Sequence, residues 1–269
     1  MSTARLRLLH DPLTHHARSH PDKCAIVVSG SHYSYAELSC ASEALGAYLL
    51  SRGLKRGDRV VIFAGNSWDC IVCVYATLSA GGAFVIVNEQ TKAAKLARIV
   101  DDCEARVLLV DTSLLDAASH TVETCGSLQI VLVSGSSAAT VVHAPDAPPL
   151  IVPLESAIDA AQKGQDPAQA FVHAIPSGAS ASEYRGERHQ PIPLDLASLI
   201  YTSGTTGEPK GVMMTHQSML FAAESIAEYL RLCESDTIIN YLPLSFDYGL
   251  YQLLIAVYLG APLILKRKL

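Results

Sequence analysis

The chain has 269 residues, of which 49% are hydrophobic and 17% are charged, and its formal net charge is -6. This composition excludes a disordered chain, because there are enough apolar side chains for a sizeable core. The acidic balance and the scattered Lys and Arg residues argue against nucleic acid as the main partner.

The cysteines indicate a reducing compartment. They are scattered and odd in number, and the first residues lack the apolar segment of a secretory signal peptide. We therefore expect free thiols and a cytoplasmic location. Cys70 and Cys73 form a C-x-x-C pair with no second pair to complete a zinc set, so core packing is favoured. His16 and His20 have metal-ligand spacing but no supporting cluster, and no metal site is predicted.

The first part of the chain alternates strand and helix patterns. "CAIVV" and "SHYSY" predict a hairpin whose turn is Ser29-Gly30. Ser34 and Glu37 have the spacing of a capping box, which opens a helix that ends at Gly53. "RVVIF", "AFVIV", "RVLLV" and "QIVLV" predict strands separated by helices. This order predicts an α/β fold with doubly wound, mostly parallel sheets and helices on both faces.

The chain divides by composition into three parts. Residues 1–133 are predicted to form a first α/β subdomain. Residues 134–193 are rich in Pro, Ser, Ala and Gly, which predicts an excursion or linker. Residues 194–269 begin a second α/β subdomain with the apolar strand "LDLASLIYT".

One apolar run resembles a membrane span in length. "YGLYQLLIAVYLGAPLIL", from Tyr248 to Leu265, carries no charge. Gly249, Gly260 and Pro262 interrupt it, so we expect a buried helix followed by a "PLIL" strand, and no membrane span.

The segment "YTSGTTGEPKG" has the composition of a phosphate-binding loop. It matches neither the P-loop pattern nor G-x-G-x-x-G. Its glycines let backbone N–H groups approach an anion, its hydroxyls can donate hydrogen bonds, and Lys210 adds a positive charge. The helical pattern near Met219 would add the positive end of its dipole. The alternative is a hydrophilic turn.

The same segment resembles the signature loop of the AMP-forming adenylating enzymes. These are the acyl-CoA synthetases, the acyl-AMP ligases and the adenylation domains of peptide synthetases. The resemblance implies that the chain binds ATP, normally with Mg²⁺, and that the loop closes on the β- and γ-phosphates. The phosphate-binding residues would be Thr202, Ser203, Gly204, Thr205, Thr206, Gly207 and Lys210.

The resemblance extends from about residue 12 to the end of the chain and is weakest over 134–193. The wording "LPLSFDYGLYQLL" is similar to acyl-CoA ligases associated with exosortase systems. Members of the family activate a carboxylate as acyl-AMP and release pyrophosphate. The implied partners are a carboxylic acid and an acceptor, either CoA or a carrier-protein thiol. Orientation and charge neutralisation carry such a reaction, and we assign no catalytic residue in this chain.

The resemblance places substrate-pocket candidates at Phe246, Asp247, Tyr248 and Gly249. Phe246 stands where many acyl-CoA synthetases have a His. Asp247 stands where adenylation domains have an Asp that pairs with the substrate amine. A buried Asp247 would need a partner, either that amine or a nearby group, and the surrounding sequence favours an acyl substrate. Phe246 and Tyr248 either line an acyl pocket or belong to the core. We expect His216 to cap and pack a helix.

Other parts of the family pattern are not found in this sequence. Family members carry a downstream Y-G-x-T-E segment, an Asp for the ribose and a small C-terminal domain with a Lys. The chain is thus expected to be an N-terminal portion, at best weakly active alone, with a separate C-terminal half as a candidate partner. The alternatives are a truncated paralogue that only binds nucleotide or a partner, an amino-acid adenylation fragment, or a marginally folded relic.

Overall fold

The structure is a computed structural model, which describes residues 6–135, 149–163, 190–203 and 209–266. The helices are α1 (Asp11–Ser19), α2 (Tyr35–Ser51), α3 (Trp68–Ser79), α4 (Ala93–Asp102), α5 (Leu115–Thr124), α6 (Leu154–Gln162), α7 (His216–Leu230) and α8 (Asp247–Leu259). The strands are β1 (Cys24–Val28), β2 (Ser31–Ser34), β3 (Arg59–Phe63), β4 (Ala83–Val87), β5 (Val107–Asp111), β6 (Ile130–Ser134), β7 (Leu150–Pro153), β8 (Leu196–Ser203), β9 (Pro209–Thr215), β10 (Ile238–Asn240) and β11 (Leu263–Leu265).

These strands form two sheets. The larger sheet has seven strands in the order β7-β6-β5-β3-β4-β8-β9, and the smaller has four in the order β10-β11-β1-β2. All pairs are parallel except β8 with β9 and β1 with β2. The predicted fold class is therefore confirmed: the sheets are mostly parallel.

The central strands of the larger sheet are buried on both faces. Val60 and Ile62 of β3 pack in one core with residues of α2, α3 and α6. Val61 and Phe63 of the same strand pack in a second core with residues of α4 and α5. Alternate side chains of a strand point to opposite faces, so helices on both sides explain why the strand is apolar throughout.

Several local predictions are confirmed. Ser29 and Gly30 form the turn of the β1–β2 hairpin, with φ values of 52° and 83°. Ser34 and Glu37 form the capping box that opens α2. The C-x-x-C pair is buried in α3, where burial raises the pKa of the Cys73 thiol to about 12 and keeps it protonated.

The uncharged run from Tyr248 to Leu265 is a helix followed by a strand, as predicted. α8 ends at Leu259 because Gly260 adopts the left-handed conformation that terminates a helix, and β11 follows. Among the described residues, no helix has both the length and the apolar character needed to cross a membrane.

The predicted linker at 134–193 contains regular structure. β7 extends the parallel sheet beside β6, and α6 packs against α2. The sequence prediction missed this pair because the short run "LIVP" ends in Pro153, which a sheet tolerates only at an outer strand such as β7.

The strand pairing does not follow the predicted division at residues 133 and 194. β8 pairs with β4, and β11 pairs with β1, so both sheets contain strands from both parts of the chain. Asp195, just before β8, accepts two hydrogen bonds of 2.6 Å from the Arg56 guanidinium. This ion pair fixes the returning chain beside the turn that precedes β3.

His216 joins α7 to the N-terminal segment. It is fully buried, and its Nδ1 accepts a 3.1 Å hydrogen bond from the backbone N–H of Leu9. Its ring lies 6.0 Å from that of His10, edge to face. The helix cap itself is Thr215, whose side chain accepts the N–H of Ser218. His216 therefore packs as predicted, while the capping belongs to its neighbour.

This burial predicts a loss of stability in acid. Desolvation and then the charge of His10 lower the pKa of His216 from 6.5 to about 4, and Asp195 and Asp11 oppose part of the shift. Between pH 6.5 and about pH 4 this histidine binds a proton in the unfolded chain but stays neutral in the folded chain, so stability falls as the pH falls. From pH 7 to pH 5 the free energy of unfolding should drop by about 2 kcal/mol from this residue.

Urea denaturation at both pH values measures this effect. His216→Asn keeps an acceptor for the N–H of Leu9 and should remove the share of about 2 kcal/mol that comes from this residue. His10 and His16, whose pKa values are also lowered by burial, leave a remaining pH dependence. The matched control is His120→Asn on the exposed side of α5, which should retain the wild-type dependence. Equal pH dependence in wild type and His216→Asn would contradict the prediction.

Candidate functional site

The candidate site lies where β3, β4 and β8 end. These strands are parallel, so their carboxyl ends meet at the same side of the sheet. Ser198 pairs with Phe84, so β8 runs past the end of β4 before it reaches Ser203. Ligands of open α/β sheets bind beyond the carboxyl ends of the strands, and the predicted phosphate loop begins at this position.

The described residues flank the predicted loop but do not include its centre. Gly204, Thr205, Thr206 and Gly207 lie outside the described residues. β8 pairs with β9 in an antiparallel hairpin, in which Thr202 stands opposite Lys210 and Ser203 opposite Pro209.

Thr202 and Lys210 are both exposed. Directly paired residues share one face of the hairpin, with Cβ atoms about 5 Å apart. The hairpin therefore brings one predicted hydroxyl donor and the predicted cation together at the base of the loop.

The expected contribution of a helix N-terminus is wrong. The segment after Lys210 is a seven-residue strand, and α7 begins only at His216. At about 3.3 Å per residue, β9 carries the chain roughly 20 Å from the loop before the helix starts. A helix dipole acts within its first turn, so it does not reach the loop. The strand was missed because β9 is an edge strand, and its sequence "KGVMMT" lacks a clear alternation of apolar and polar residues.

A contact between Tyr201 and Gly211 fixes the base of the hairpin. The two residues are paired across β8 and β9, and a Cβ on Gly211 would lie 3.1 Å from Cζ of the tyrosine ring. The Tyr201 hydroxyl donates a hydrogen bond to the carboxylate of Asp102, at the end of α4. Burial and this hydrogen bond raise the pKa of the phenol, which stays protonated as a donor. The last glycine of the motif, Gly211, thus leaves the space that the tyrosine ring occupies.

An apolar cavity adjoins the hairpin. It is partly open to solvent, and seven of its ten lining residues are apolar. The lining residues are Phe84, Ile86, Ser198, Leu199, Ile200, Leu244, Ser245, Phe246, Asp247 and Leu250. β8 lines this cavity and ends at Ser203, so one strand joins the cavity to the base of the predicted loop.

The substrate-side candidates separate into different environments. Phe246 and Asp247 line the cavity, whereas Tyr248 is 81% exposed and does not. Phe246 is 56% exposed, so neither aromatic belongs to the core. Gly249 is buried, and a Cβ there would lie 2.3 Å from the carbonyl oxygen of Pro243, so it permits the close approach of that loop.

The expectation that Asp247 is buried is wrong. Its side chain is exposed at the start of α8, where a carboxylate is favoured by the helix dipole. It therefore does not need a partner to offset burial, and its position at the cavity rim is its relevant property.

Sequence analysis missed the polar residues that hold the cavity rim. The chain contains three asparagines, and each donates from its side-chain amide to the segment 242–249. Asn88 directly follows the apolar strand β4 and Asn66 lies three residues after the end of β3, positions at the carboxyl ends of strands that could have indicated a role at the site. Asn240 ends β10 and bonds to Gly249.

Within the described ranges, no group of three or more His, Cys, Asp or Glu side chains is arranged to hold a metal ion. The exposed pair of Thr202 and Lys210 fits an anionic phosphate, since it offers a hydroxyl and a cation on one face.

Comparison with known proteins identifies the family. The AMP-binding enzyme family matches residues 13–269. Tyrocidine synthase 1 from Brevibacillus parabrevis is 26% identical over 98% of this chain, which covers 20% of the synthase. The anthranilate CoA ligase AuaEII, solved with anthranoyl-AMP, gives a TM-score of 0.79 at 22% identity, over 97% of this chain and 45% of the ligase. MbtA of Mycobacterium smegmatis gives 0.76 at 26%, over 97% and 44%.

The chain thus belongs to the AMP-binding enzyme family, and its fold is that of adenylate-forming enzymes. It spans less than half the length of these three relatives.

Because Gly211 lies against the ring of Tyr201, we predict that one added methyl group at residue 211 destabilises the hairpin. Gly211→Ala should lower the free energy of unfolding by about 1–2 kcal/mol, because the new Cβ must displace the ring of Tyr201. In a Tyr201→Leu background the same substitution should cost less, since the ring is gone.

Urea denaturation of the four proteins in this double-mutant cycle gives the coupling energy. Gly126→Ala is the matched control, because a Cβ there meets nothing within 4 Å. A cost for Gly211→Ala no larger than that for Gly126→Ala would show that the contact does not constrain the hairpin.

Proposed function

We propose that this chain binds ATP at the β8–β9 loop and takes part in activating a carboxylate as acyl-AMP. The observation that carries this proposal is the shared strand. Ser198, Leu199 and Ile200 of β8 line the apolar cavity, and the same strand reaches the loop at Ser203. From Ile200 to Ser203 is about 10 Å along the strand, and this short separation supports a carboxylate in the cavity near a phosphate chain at the loop.

In the proposed reaction, a carboxylate oxygen attacks the α-phosphorus of ATP. A new P–O bond forms, the bond to pyrophosphate breaks, and pyrophosphate leaves with the electron pair. Lys210 would neutralise phosphate charge and Thr202 would donate a hydrogen bond, each from a fixed cross-strand position. We propose that the same roles extend to Ser203, Gly204, Thr205, Thr206 and Gly207. Mg²⁺, when bound, would supply further charge neutralisation from the phosphate side.

An acyl substrate is favoured by the cavity. Apolar side chains form most of its lining, and Phe246 partly covers its opening. An apolar acid would gain free energy by burying its carbon chain there. The relatives include, by their names, a tyrocidine synthase and an anthranilate CoA ligase.

An amino-acid substrate is the second candidate, and Asp247 is the observation that favours it. This carboxylate lines the cavity from the rim and has no hydrogen bond or ion pair among the described residues. An ammonium group of a substrate would complement it.

We propose CoA or a carrier-protein thiol as the acceptor of the activated acyl group, and a further polypeptide segment as the source of acceptor contacts.

All seven cysteines are free thiols, which supports the predicted cytoplasmic location.

Calorimetric titration with ATP tests the loop assignment. Lys210→Ala should raise the dissociation constant about 10-fold or more, because a charge-assisted contact to phosphate is lost. Lys95→Ala is the matched control, since it removes an exposed lysine from α4 and should leave the affinity unchanged. Equal affinities of wild type and Lys210→Ala would refute the assignment.

The substrate class is tested at Asp247. Carboxylate-dependent exchange of pyrophosphate into ATP is measured with each amino acid and with its des-amino analogue. If an amine is recognised, Asp247→Asn should reduce kcat/KM about 10-fold or more for the amino acid only. If the substrate is an acyl chain, the variant should affect both members of every pair alike.

A further inference from the structure

The apolar cavity is built between two walls from different sheets. One wall is formed by Phe84 and Ile86 of β4 with residues of β8, in the seven-stranded sheet. The other is formed by the segment 244–247 and Leu250, which follow β10 of the four-stranded sheet. The width of the cavity therefore depends on what holds the second wall to the first.

The side chain of Asn66 joins the two walls, because it forms hydrogen bonds with backbone groups on the side of the second wall. It follows β3 of the larger sheet and is only 7% exposed. Its Nδ2 donates to the carbonyl oxygens of Leu242 at 2.9 Å and Lys266 at 3.0 Å. Its Oδ1 accepts the backbone N–H of Leu244 at 2.9 Å. Both amide hydrogens and the amide oxygen are thus used.

The other two asparagines are less suited to this role. Asn88 reaches the second wall through one 3.3 Å hydrogen bond to the Ser245 hydroxyl, which can rotate away. Asn240 bonds to Gly249 and Leu242, but all three lie in the same stretch of chain as the second wall and do not connect it to the larger sheet. Asn66 is the asparagine that fixes the main chain of one wall from the other sheet.

We propose that Asn66 is a positioning residue that sets the width of the carboxylate cavity, and so the size of acid that is accepted. This inference rests on the proposed function. Asn66 is not among the residues that line the cavity. It acts by holding Leu244, whose side chain lines the cavity, through the hydrogen bond to its backbone N–H. Loss of its two donors would also leave the carbonyls of Leu242 and Lys266 without this partner.

Hydrogen–deuterium exchange tests the positioning step without any substrate. In Asn66→Ala the amides of 242–246 should exchange about 10-fold faster or more, while those of β3 and β5 keep wild-type rates. Asn66→Asp retains the acceptor for the N–H of Leu244 and should give a smaller increase. Asn88→Ala is the matched control and should change exchange by less than about 2-fold. Unchanged exchange in Asn66→Ala would overturn the proposal.

The size selectivity is tested with straight-chain carboxylates of increasing length in pyrophosphate exchange. The ratio of kcat/KM between the best and the worst accepted chain length should be about 5-fold smaller in Asn66→Ala than in wild type. The KM for ATP should stay unchanged within about 2-fold. An equal loss for every acid and for ATP would mark a general structural role and overturn the proposal. If wild type binds neither ATP nor any of the acids, the proposed function fails, and amide exchange alone decides whether Asn66 holds the wall.

Discussion

A strand that is buried on both faces can present polar groups to a ligand only at its ends. Alternate residues of β3 enter opposite cores, so neither face of the sheet offers room for a charged ligand. The parallel direction of β3, β4 and β8 then collects their carboxyl ends on one side. The predicted phosphate loop, Asn66 and Asn88 lie on this side because of this constraint, although long stretches of sequence separate them, and the cavity lies against the neighbouring strands β4 and β8.

The signature motif combines residues of two kinds. Thr202 and Lys210 project at the base of the loop and are suited to contact phosphate. Tyr201 and Gly211, in the same motif, instead shape the hairpin, because the glycine leaves space for a ring that is held by Asp102. A motif of this length is specific because it encodes a strand pairing as well as a set of ligand contacts.

The fold was largely predictable from sequence where the pattern is local. Buried parallel strands are continuous apolar runs and helices carry their caps in sequence, so β3 to β6 and the Ser34 cap could be recognised. β7 and β9 were missed because they lie at the two ends of the sheet, where one side is unpaired and the apolar pattern weakens. The role of Asn66 was not predictable, since its contact with Leu242 spans 176 positions and depends on how the two sheets meet.

The cavity has a polarity that bears on how a substrate would be oriented. Its inner wall is formed by apolar side chains of β4 and β8, while its charged lining residue, Asp247, lies at the exposed rim. An apolar chain gains by entering, and a carboxylate loses free energy if it is buried without a partner. A bound acid would therefore keep its carboxylate outward. Under the proposed function, Asp247 would repel that carboxylate and Lys210 at the hairpin would attract it, so these two charges would orient the reactive group towards the predicted loop.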